Sequence, residues 1–226
     1  MHWTHRGNGC SLARVSTVGK KIVMAVSGVL LVLFLIAHVA GNLKIFFGAG
    51  SFDSYAAWLR ALGAPVLPHQ GFLWAQRAGL LAAVTAHIWA ATSLTIAARK
   101  ARPVRYVHRP KVNGSYAART MRWGGVIIAL FVVYHVLDLT TRHLNPYGQG
   151  SAFQAVVSDF APDRWYVTAF YAVAVVALGF HLRHGVFSAM QTLGWRLARS
   201  GALAVSLLIC TGFLAVPVAV SMGWVH

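Results

Sequence analysis

Five long apolar runs, at about residues 22–47, 72–98, 123–141, 165–182 and 202–225, are separated by short basic connectors and leave this chain few folds other than a bundle of membrane-crossing helices. Each run approaches or exceeds the roughly 20 residues that cross a hydrocarbon core as a helix. Of the 226 residues 58% are hydrophobic and only 11% charged, too few charges to cover a water-soluble globule of this size. The expected fold class is all-α. It is an integral membrane bundle of five transmembrane helices, at about 22–47, 72–98, 123–141, 165–190 and 202–225, in one domain over 1–226, with the first four helices forming a four-helix bundle.

A net charge of +16 raises the question of nucleic acid, but the cations lie in connectors without the interleaved aromatics of a nucleic-acid surface, so no nucleic-acid partner is expected. They read as topology signals. Arg6, Arg14, Lys20 and Lys21 precede the first run, and Arg99, Lys100, Arg102, Arg105, Arg109, Lys111, Arg119 and Arg122 fill the connector after the second. Arg183, Arg196 and Arg199 mark the link before the fifth. The positive-inside rule makes all three cytoplasmic, so the amino terminus is expected inside, with an uncleaved first helix, and the carboxyl terminus outside. Trp58, Trp74, Trp123, Trp165 and Trp224 fall near the expected lipid–water interfaces. The loop 48–71 carries an amphipathic stretch around 55–62.

The acidic residues are Asp53, Asp138, Asp159 and Asp163, with no Glu, which disfavours paired-carboxylate hydrolysis and hard-metal sites. Cys10 and Cys210 should lie at different depths and form no disulfide; neither sits in a pattern for covalent haem or an iron–sulfur cluster.

Each of the first four runs contains one histidine of recurring depth: His38, His87, His135 and His181. An imidazole in hydrocarbon is costly, so ionisable side chains there point to function. At 1.5 Å per residue, His38 and His135 lie about 24 and about 21 Å from the cytoplasmic starts of their runs, and His87 and His181 about 16 and about 14 Å. In an up-down bundle the two depths fall on the two diagonals. Two couples of histidines supply the axial ligands of two six-coordinate haems, one toward each side of the membrane. Gly41, Ala83, Ala91, Ala177 and Gly185, one turn from the histidines, leave space for a flat macrocycle, or are ordinary small residues at helix contacts.

Helical phase adds neighbours. Arg142 shares the His135 face and fits either a haem propionate or an interfacial anchor. Gln76, beside Arg77, shares the His87 face, and Ser27 the His38 face; both fit propionates, quinone oxygens or plain helix-end polarity. Asp138, one turn after His135, is the sole acid inside a run, a candidate for orienting a ligand, binding a quinone hydroxyl or relaying protons.

Several segments carry a resemblance: SGVLLVLFLIAHVAGNLKIFFG with FDSYA after it, LWAQR leading to AHIWA, VVYHVLDLT, and FHLRHGVFSAMQTLG. Over nearly its whole length the chain resembles the single-subunit, five-helix cytochrome b membrane anchor of succinate:menaquinone oxidoreductase and fumarate reductase. In that family the fourth-helix ligand is the first histidine of H-x-x-x-G, which here falls on His181 and Gly185, leaving His184 as the reserve ligand. The resemblance implies two haem b, held by helices one and three and by helices two and four, and menaquinone as electron acceptor. It implies a bacterial cytoplasmic membrane, contact with membrane lipid, and two soluble partners on the inner face, the flavoprotein and iron–sulfur subunits of succinate dehydrogenase. Such a chain carries electrons and does no succinate chemistry itself. Some menaquinone-linked relatives use a glutamate for quinone protonation; here His69, Gln76 or Asp138 are the available substitutes. The cytochrome b subunit of a membrane formate dehydrogenase or hydrogenase, and a haem-free small transporter, are the alternatives. The motifs argue against the former and the absence of an inverted repeat against the latter.

Overall fold

The computed structural model describes residues 16–101, 116–148 and 150–226, with the side chains of 116–120 left aside. Cys10, Arg6, Arg14 and the basic residues from Arg102 to Lys111 lie outside the described residues, as does the Arg119 side chain.

Among the described residues every regular element is helical. Helix α1 is Thr17–Asn42, continued by a 3-10 turn, Leu43–Phe47; α2 is Ala49–Ala61 and α3 Gly71–Lys100. Helix α4 is Tyr116–His135 and runs into a π-helical turn, Val136–Thr140. Then come α5, Ala152–Asp159, a 3-10 turn at Pro162–Arg164, α6, Trp165–Thr192, and α7, Arg199–Ser221. Five of these segments are long and apolar enough to cross a membrane: Thr17–Phe47, Gly71–Lys100, Met121–Thr140, Pro162–Thr192 and Arg199–Ser221. The chain is a multi-pass helical membrane protein.

Local chemistry sets the ends. Ser16 caps α1, its hydroxyl accepting from Gly19 N–H at 3.0 Å. Helices α6 and α7 stop at Gly194 and Gly223, both at positive φ, where Trp195 N–H reaches back to the Met190 carbonyl and Trp224 N–H to that of Ala219, each at 2.9 Å. A Cβ would strain either turn.

Around the bundle the helices run α3, α1, α6, α4, with each packed on the next, and among the described residues α3 and α4 make no substantial contact. Helix α7 lies outside this row, against α6 and α1. It binds α6 through small polar groups: Ser206 donates to the Gly179 carbonyl at 2.7 Å and the Cys210 thiol to that of Val175 at 3.5 Å. Gly212 permits the approach to α1, because a Cβ there collides with the Val39 side chain. The apolar core sits at this three-helix junction, in Val39, Leu182, Val186, Ala202 and Ile209. Facing outward, Ile22, Val26, Leu30, Leu33 and Ile36 of α1 are all exposed, a stripe suited to lipid and not to water.

The short helices α2 and α5 cap one end of the bundle. Asp53 of α2 joins them, accepting from the Ser151 hydroxyl and from Phe153 N–H at 3.0 Å, while Ser151 caps α5 through Phe153 and Gln154 N–H. An amphipathic stretch in the α2 region is expected from the sequence, whereas α5 is not. Exposed Trp58, Trp74, Trp165 and Trp224 ring this same end.

Candidate functional site

The histidines meet across the diagonals. His38 of α1 and His135 of α4 have ring centres 5.9 Å apart, and His87 of α3 and His181 of α6 have theirs 6.2 Å apart. Ser27, which touches His87, lies eleven residues from His38 along α1; Tyr171, which touches His135, lies ten from His181 along α6. At 1.5 Å per residue the two couples are therefore stacked about 15 Å apart. This is a wider offset than counting from the apolar runs suggests, because α1 starts at Thr17 and α4 at Tyr116, well before the runs do.

Second partners orient the rings. His87 Nδ1 lies 3.1 Å from the Met24 carbonyl and 3.2 Å from Ser27 Oγ, whose own hydroxyl donates to the Val23 carbonyl at 2.7 Å. A proton on Nδ1 satisfies both contacts and leaves the Nε2 lone pair free. His135 Nδ1 lies 3.3 Å from Tyr171 Oη, and Tyr171 donates in turn to Asp138 Oδ2 at 2.7 Å, which places the His135 lone pair on Nε2 as well. His181 Nδ1 is buried without a hydrogen bond among the described residues. Phe34 stacks on His38 and Phe131 on His135, at 5.3 and 5.8 Å between centres.

Two glycines missed in the sequence shape the couple nearer the amino-terminal end. A Cβ on Gly28 of α1 would stand 3.3 Å from His87 Cε1, and one on Gly125 of α4 would stand 3.7 Å from His181 Cε1. The His87 ring is tight against α1 at Gly28, where a Cβ would press on it, whereas the His181 ring meets α4 at Gly125 at an ordinary van der Waals distance. A sequence signal existed in glycines inside spans, but it does not say which ring each receives.

The other expected residues divide. Ser27 is buried on the inward face that helical phase assigns it with His38; its partner there is His87 of α3, which phase along one helix cannot identify. Gln76 and Ala83 line a cavity of about 260 Å³ with Leu30, Phe34, Gly79 and Leu80. Arg77 is not brought in; it stacks over Trp74 at 5.0 Å. Arg142 is spent on loop carbonyls, bonding Gly150 at 2.8 Å and Gly148 at 3.4 Å, and does not join the His135 group. Asp138 is fully buried in the π-turn beside His135, a helix irregularity that recurs at functional sites. His69 is exposed. Gly41 receives Tyr55 of α2, whose ring lies 2.8 Å from where a Cβ would stand, so its small size serves packing; Ala177 likewise lies at the α4 contact opposite Gly124. Gly185 has open space beside it.

Two imidazoles that would hold one iron porphyrin between them need ring centres roughly 6 Å apart. Both couples match that spacing, and both rings with assigned tautomers carry a free Nε2. No cluster of three or more His, Cys, Asp or Glu side chains suited to a bare ion occurs among the described residues. A porphyrin needs only two protein ligands, so paired histidines fit haem where they would not fit zinc. Comparison with protein-family models, curated proteins and solved structures gives no match to this chain.

Proposed function

We propose that this chain is a dihaem cytochrome b, the membrane anchor of a succinate:menaquinone oxidoreductase, with His38 and His135 holding one haem b and His87 and His181 the other. The observation that carries the reading is the pair of diagonal imidazole couples, 5.9 and 6.2 Å between centres, at two levels of one bundle. When bound, haem supplies reversible one-electron chemistry inside the membrane. The protein's part is positional. Met24 and Ser27 hold the His87 tautomer, Tyr171 that of His135, Gly28 and Gly125 let the His87 and His181 rings lie close against helices, and the apolar shell keeps water away. Gln76 offers an amide in an otherwise apolar cavity, which suits the carbonyl of a quinone ring.

Along the sequence, fifteen of the twenty cations fall in or beside the amino-terminal segment, the link between the second and third spans and the stretch from Arg183 to Arg199, leaving Lys44, Arg60, Arg77, Arg142 and Arg164 in or beside the other two links. That asymmetry supports an amino terminus in the cytoplasm of a bacterial cell, with the α2/α5 end outside. It also gives a basic face for the flavoprotein and iron–sulfur subunits, whose identity rests on the sequence motifs.

Reduced-minus-oxidised spectra and haem quantification of the purified chain test the reading. Two haems per chain with b-type bands are expected, and each single histidine-to-alanine variant should lose one. A pigment-free wild type, or variants that lose both haems or neither, would overturn it. Copurifying flavin and iron–sulfur proteins separate a succinate complex from a formate or hydrogen enzyme.

A further inference from the structure

A second buried polar group lies at the α2/α5 end. Asp138 in the π-turn and Asp159 at the end of α5 are each fully buried and lie about the same side chain: Tyr171 bonds Asp138, and its ring stands edge-on to Phe160, next to Asp159, at 4.8 Å between centres. One oxygen of each is already engaged: Tyr171 donates to Asp138 Oδ2 at 2.7 Å, and Arg164 bonds Asp159 Oδ1 at 2.9 Å. The remaining two, Asp138 Oδ1 and Asp159 Oδ2, are buried and have no donor among the described residues. Ionised carboxylates only accept, so two of them close together repel unless a proton lies between them.

The charge balance agrees. Tyr134 of α4, Tyr171 of α6 and Arg164 are the titratable and charged groups that act on Asp159 or share its surroundings besides Asp138. Helix α7 contributes Val220, and Ser221, whose hydroxyl donates to the Phe160 carbonyl. Two carboxyls facing one guanidinium are neutral when they hold one proton, and a buried group favours neutrality.

The geometry points to a proton-binding site: Asp138 and Asp159 share one exchangeable proton at the α2/α5 end, and the Tyr171 hydroxyl connects that site to the Nδ1 side of His135. Burial, then the hydrogen bond and charge of Asp138, push the Asp159 carboxyl up to about 7 against the opposing pull of Arg164. The carboxyl therefore keeps its proton to higher pH than an exposed aspartate does. Buried Phe160, Val167, Tyr171 and Val220 pack together in the same region. A reaction at this end of the bundle that takes up or releases protons has a one-proton store beside it. The site itself requires no haem.

The chain has four Asp and no Glu, so carbon-13 labelling of aspartate carboxyls leaves four signals to assign. Infrared spectra of the labelled, full-length purified protein, titrated from about pH 5 to about pH 9, read the carbonyl stretch of a protonated carboxyl directly. One such band is expected to fade through neutrality, to vanish in both D138N and D159N, and to persist in D163N. Arg164→Gln should move its midpoint upward, because a stabilising cation is removed. A wild type with no labelled protonated carboxyl in that range overturns the proposal, and that measurement needs no variant to fold. So does a band that survives in both D138N and D159N.

Discussion

On the dihaem proposal, the contact between His135 and Tyr171 is the smallest unit with a redox consequence. An Nδ1–H that donates to an oxygen makes the imidazole a stronger electron donor through Nε2 and favours the oxidised iron it binds. Tyr171→Phe removes that acceptor, so the midpoint potential of the haem at His38 and His135 should rise by roughly tens of millivolts while haem content stays at two. Potentiometric titration reads both. At the other level, Gly28→Val puts branched carbon against His87 Cε1, and about half the pigment should be lost, all from the His87 and His181 couple. Retention of both haems in that variant would remove the cradle role of Gly28. The four histidines were legible because a polar ring stands out in an apolar run. Gly28, Gly125 and the true partner of Ser27 were not, since each is defined by a ring on a different helix.

At the scale of elements, α2 and α5 depend on each other through one carboxylate. Asp53 accepts the Ser151 hydroxyl and the Phe153 N–H, so it serves the cap of a helix about a hundred residues later. Asp53→Ala should cost about 1–2 kcal/mol and lower the unfolding temperature, with haem content little changed. Thermal melting followed by tryptophan fluorescence measures it. The long helices were readable from hydrophobic runs alone, to within a few residues at most ends. Helix α5 was hidden because eight residues between glycine-rich and proline-containing turns carry too little periodicity. Asp159 was hidden with it: nothing in a connector reveals that its carboxyl turns inward to meet Asp138.

For the molecule as a whole, the Asp159 carboxyl links pH to stability. Its native value, about 7, lies above its unfolded value of 3.8, so the native state binds the extra proton. Stability from this group is complete below the unfolded value, declines as pH rises through the interval, and levels off above the native value. The unfolding temperature should therefore fall between about pH 4 and about pH 7, and D159N, which mimics the protonated form, should flatten that slope. Five spans among the described residues put the Thr17 and Ser221 ends on opposite sides, so a reporter placed after Ser221 should register outside when the Thr17 end is in the cytoplasm.

The seam between α3 and α4 bears on how such a protein matures. Among the described residues those two helices scarcely touch, so helix packing does not close this side of the histidine-lined interior. On the dihaem proposal, a flat, greasy pigment dissolved among the acyl chains would enter laterally once the segments are threaded, making pigmentation a late step of biogenesis that leaves the scaffold's own contacts around α6 and α7 undisturbed.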